Sequence, residues 1–72
     1  MDIVNIGSVQ FKDRMSGELS YIVVRVVDNS IGIGISEESS GDAEVFFDTE
    51  KCELIIEWLS TALATARTIS AR

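Results

Sequence analysis

"LSYIVVRVVDNSIGIGIS", residues 19–36, sets two apolar runs on either side of Asp28 and Asn29. Asp and Asn tolerate left-handed backbone, so "DNS" reads as a short turn between two strands. The run before it is rich in β-branched residues, which fit a pleated surface. The run after it, "SIGIGIS", alternates strictly. Ile31, Ile33 and Ile35 point one way; Ser30, Gly32, Gly34 and Ser36 point the other. A hairpin at the middle of the chain makes an antiparallel sheet the expected frame.

The first strand of this hairpin is apolar on both faces. Ile22, Val24 and Val26 share one; Tyr21, Val23 and Val27 share the other. Antiparallel strands with one wet face alternate more cleanly, so both faces of this strand call for cover.

Outward toward the N-terminus, residues 3–11 read as another strand. Ile3, Val9 and Phe11 fall on one face by simple alternation, Val4 and Ile6 on the other, and Gly7 marks a bulge or bend. "KDRMSGE" is a loop with Gly17 at its tight point. Outward the other way, "EESSGD" is an exposed acidic loop and residues 43–47 form a fourth strand. The chain has no proline, so its turns rest on Gly, Asn, Asp and Ser.

From Asp48 the period changes. Asp48 or Thr49 can cap a helix, with Glu50 and Glu53 placed to complement its dipole. Helical spacing continues to about Thr68, and Arg67 and Arg72 lie near the end, where positive charge is favourable. Cys52, Ile55, Ile56, Leu59, Ala62, Leu63 and Ala66 form one stripe, flanked by Leu54, Trp58 and Ile69. The apolar arc spans roughly 200°, about twice what covering one sheet requires. The expected fold is α+β: a four-stranded antiparallel β-meander followed by one long C-terminal α-helix packed on one face, in the order β-β-β-β-α. Ile31, Ile33 and Ile35 are expected to lie under that helix.

Seventy-two residues make one domain, residues 1–72. A chain this short buries only about 60% of its unfolded surface and stands near the limit of independent stability. A disulfide within the chain is excluded by the single Cys52, and zinc is disfavoured by one thiol and no His. Oligomerisation is the remaining common route. The surplus apolar surface is expected to carry a homodimer interface, either on the helix flank at Leu54 and Trp58 or on the open sheet face, where Tyr21, Val23 and Val27 beside Gly32 and Gly34, or else Ile22, Val24 and Val26, would be exposed.

Twelve acids against six bases give a net charge of −6. That balance suits a basic protein partner, met through Glu37, Glu38, Asp42 and Glu44. It opposes binding to phosphate backbones or to anionic membranes. No apolar run is long enough to span a bilayer, and the N-terminus lacks the features of a signal peptide, so the expected location is the cytoplasm. No cofactor or metal is expected. "SIGIGIS" lacks the third glycine and following helix of a phosphate-binding fingerprint. Without His, triad catalysis is impossible within this chain, and Cys52 falls on the sheet-facing stripe. The chain therefore reads as non-enzymatic.

Three functional expectations result. The first is a small acidic protein-interaction domain of inhibitor or immunity type, acting as a homodimer. The second is a single-stranded nucleic-acid-binding β4α module. A four-stranded sheet followed by a long helix is similar in outline to the coactivator family that binds melted DNA, and Phe11, Tyr21, Phe46 and Phe47 could stack on bases. The third is a self-assembling structural protein without ligand.

Overall fold

The computed structural model describes residues 1–71. Four strands precede one helix: β1 (Ile3–Lys12), β2 (Leu19–Val27), β3 (Ser30–Glu37), β4 (Gly41–Phe47) and α1 (Thr49–Ser70). Each strand pairs antiparallel with the next, giving one open sheet in the order β1-β2-β3-β4. The α+β meander expected from the sequence is the observed fold. Arg72, expected near the helix end, lies outside the described residues.

The turns follow local chemistry. Asp28 takes the left-handed conformation (φ 56°) and lets Val27 pair with Ser30 across a two-residue loop. Its backbone N–H donates to Asp2 O at 2.7 Å, and its Oδ1 accepts from Asp2 N at 3.0 Å, clipping the N-terminus to the turn. Gly17 and Gly41, both at φ 77°, serve the other two turns.

Gly7 does mark a bulge, and the bulge changes the face pattern of β1. Asn5 opposes Arg25 and Gly7 opposes Val24, leaving Ile6 as the extra residue. Simple alternation puts Ile3 with Val9 and Phe11. In the structure Ile3 pairs with Val27, whereas Val4, Val9 and Phe11 oppose Val26, Ile22 and Ser20. The inserted residue moves Ile3 to the opposite face and brings Val4 over to join Val9 and Phe11.

Asp48 caps α1, its side chain accepting from Lys51 N at 2.8 Å. The helix meets the sheet at β3 through its first turns. Only Cys52 and Ile55 of its apolar stripe become half-buried there, and no helix residue is fully buried. The longest molecular dimension is 47 Å. A 22-residue helix and a 10-residue strand each span about 33 Å, so the helix overhangs the sheet.

No hydrophobic side chain is buried among the described residues. Accessible area is 5864 Å², about a third above the roughly 4,400 Å² of a compact monomer of this mass. The radius of gyration, 14.3 Å, compares with about 11 Å for a compact 72-residue domain.

Candidate functional site

The register divides the sheet into two unlike faces. Directly paired residues share a face. One face therefore collects Ile22, Val24 and Val26 of β2 with Ile31, Ile33 and Ile35 of β3. Val4, Val9 and Phe11 extend it on one side and Ala43, Val45 and Phe47 on the other. No charged residue interrupts these rows until Glu37 at one end. Much of the face is open: Val9 is 54% exposed, Ile35 49% and Val45 61%.

The opposite face carries the charges and glycines. Arg25 stands opposite Gly32, and Glu44 opposite Gly34. The Arg25 guanidinium donates twice to Glu44, Nε to Oε2 at 2.7 Å and Nη2 to Oε1 at 2.5 Å. The carboxylate holds the guanidinium above its already high ordinary pKa. The same guanidinium lies 5.6 Å from the centroid of the Phe46 ring, within cation–π range.

The bare strip of β3 is filled by its own neighbours. Gly32 and Gly34 are both buried. A Cβ on Gly32 would meet Phe46 Cε1 at 2.5 Å, and one on Gly34 would meet Val23 Cγ1 at 2.8 Å. The glycines thus seat a ring and a methyl group from adjacent strands. Of the other residues expected at an interface, Tyr21 lines a shallow hollow beside Gly34 with Val23, Asp42 and Glu44. Val23 and Val27 are half-buried, and Leu54 and Trp58 are exposed on the helix, Trp58 at 63%.

The four acids expected to meet a basic partner occupy different places. Glu44 is paired with Arg25. Asp42 follows Glu44's face, opposite Ser36, and Glu38 is exposed in the turn. Glu37 belongs to the other face and meets the β1–β2 loop, where Ser16 Oγ donates to its Oε2 at 3.3 Å. Desolvation, a hydrogen bond shared with Glu18 and the charge of Asp13 push the Glu37 carboxyl above its ordinary value. Asp13 is held below its own ordinary value by accepting the backbone N–H groups of Met15 (2.8 Å) and Ser16 (3.1 Å).

Arg25 is the residue that sequence reasoning passed over, because it reads as isolated among valines; Phe46, expected to stack on bases, instead packs over Gly32. The signal was in the register. A two-residue turn at Asp28 and Asn29 puts Arg25 opposite Gly32, and continuing the meander puts Phe46 on the same row.

Among the described residues no cluster of His, Cys, Asp or Glu gathers to hold a metal ion, and no helix is long and apolar enough to cross a membrane. Cys52 is half-buried. The chain matches no family model, no curated protein and no solved structure.

Proposed function

We propose that this chain is a non-enzymatic protein-interaction domain that works as a homodimer and presents an acidic surface to a basic partner. One observation carries the reading: a single copy encloses no hydrophobic side chain. Folding must bury apolar surface to offset the entropy of ordering the chain. A 72-residue monomer that leaves Leu59 62% exposed and Val45 61% exposed has little to offset it with. A second copy supplies the missing cover.

The net charge of −6 supports a basic partner, as do the exposed Glu38 and Asp42 at the β3–β4 turn. Acidic complementarity of this kind is how inhibitors and immunity proteins mask basic sites. The same charge speaks against the single-stranded nucleic-acid reading. Arg25, the one cation in the middle of the sheet, is already committed to Glu44.

Light scattering after size exclusion tests the reading, together with thermal unfolding at several protein concentrations. The expected result is twice the chain mass and an unfolding midpoint that rises with concentration. A monomer that unfolds cooperatively at a concentration-independent midpoint overturns it. Binding to a single-stranded oligonucleotide that weakens steeply with salt would favour the nucleic-acid module instead.

A further inference from the structure

We infer that the second copy sits on the uncharged sheet face, together with the apolar stripe of α1, and leaves the Arg25–Glu44 face outward. This rests on the homodimer reading and names its interface. The occupant is a second copy of this chain.

Area favours that occupant. The accessible surface exceeds that of a compact monomer by on the order of 1,400 Å². A standard interface needs about 800 Å² from each partner, and obligate dimers use more. The surplus is therefore of the size one self-association would consume.

Charge selects the face. Two copies each carrying −6 repel, and the repulsion is least where the facing surfaces carry no charge. The rows through Val9, Ile33, Ile35 and Val45 satisfy that condition. The acids Asp13, Glu18 and Glu37 gather at one end of this face. A two-fold axis lying in the interface and perpendicular to the strands sends the two acidic ends apart. The stripe on the overhanging helix is likewise uncharged, with Ile56 59%, Leu59 62% and Leu63 51% exposed.

The sheet edges offer a worse route. β1 carries the bulge between Asn5 and Gly7, which breaks the ladder another strand would need. Two β4 strands paired antiparallel would bring Asp42 and Glu44 against the acids of the second copy. Both edges are protected in the ways that discourage edge-to-edge pairing.

The experiment compares the faces in the full chain. Val45→Glu and Leu59→Glu should each raise the dimer dissociation constant by about thirtyfold or more, the scale of an interface hot spot. Tyr21→Glu lies on the opposite face, which the sequence alone offered as an interface and this placement turns outward, and should leave it within about twofold. Because a charged variant can fail to fold, the unaltered protein is also read by methyl NMR with a soluble paramagnetic probe. The methyl groups of Val9, Ile35 and Val45 should be shielded, and those of Ile3, exposed on the opposite face, should broaden. A dimer with the opposite shielding, or one that Tyr21→Glu dissociates and Val45→Glu does not, overturns this placement while the homodimer stands. A protein that stays monomeric at millimolar concentration removes both readings.

Discussion

Arg25 on β2 and Glu44 on β4 join across the intervening strand, their two hydrogen bonds passing over Gly32 and Gly34 of β3. Any larger residue at either glycine would stand in the path of this bridge or of the groups packed beside it. The alternation of Ile with Gly thus has a cause on each side. The isoleucines make a continuous apolar face, and the glycines leave room for Phe46, Val23 and the Glu44 carboxylate. Glycine in a strand is destabilising by roughly 0.5–1 kcal/mol relative to Ala, and the close approach of these side chains offsets that cost.

Gly32→Val should destabilise the fold by up to about 1 kcal/mol, because its Cβ would stand 2.5 Å from Phe46 Cε1 and push the exposed ring off its seat. In a Phe46→Ala background the same substitution should become neutral or stabilising, since valine favours strands. Denaturant unfolding of the four variants at one protein concentration gives the coupling. Additive effects would mean that Phe46 does not fill the site.

Glu44→Gln should lower stability in dilute buffer, and the loss should fade in about 1 M salt, where the screening length is about 3 Å. The pair is partly open to solvent, with side-chain exposures of 34% for Arg25 and 29% for Glu44, so the effect is small. Urea midpoints at low and high salt check this. A loss that persists undiminished in salt would point to packing of the Glu44 side chain instead.

Glu37 and Asp13 should give opposite pH signatures. The folded state raises the Glu37 pKa, so it binds that proton more tightly than the unfolded chain. Stability is then lost as pH rises from the ordinary Glu value, 4.5, through the raised one. Glu37→Gln should stabilise at pH 7 and do nothing at pH 3. Asp13 is lowered, so its contribution is present above its ordinary value of 3.8 and disappears as pH falls through the depressed one. Asp13→Asn should destabilise at pH 7 and converge with the parent in acid. Unfolding midpoints across this range decide both signs.

Asp48→Ala should cost about 1 kcal/mol by removing the acceptor for Lys51 N. Asp48→Asn, which keeps an acceptor oxygen, should recover most of the loss. Thermal unfolding followed by helical circular dichroism reads the difference.

The elements were legible because each is written in a local period. The Ile-Gly alternation from Ser30 to Ser36 gave β3, the Asp-Asn pair gave its turn, and the change to helical spacing after Asp48 gave α1. The candidate surface was legible only as a surplus of apolar residues. Which face holds the charges depends on register across three strands, and the bulge at Gly7 resets the register of β1. Arg25 consequently looked solitary, although its partner lies 19 residues further along the chain.

The sequence alone determined the four strands, the capped helix and the acidic balance, because dihedral preference, capping and net charge depend on a residue and its near neighbours. Tertiary structure alone decided that Phe46 fills the place over Gly32, that Arg25 and Glu44 meet, and that the helix touches the sheet only near its start. Those outcomes depend on distances between residues far apart in the chain, which strand pairing and the path of the chain after Phe47 set.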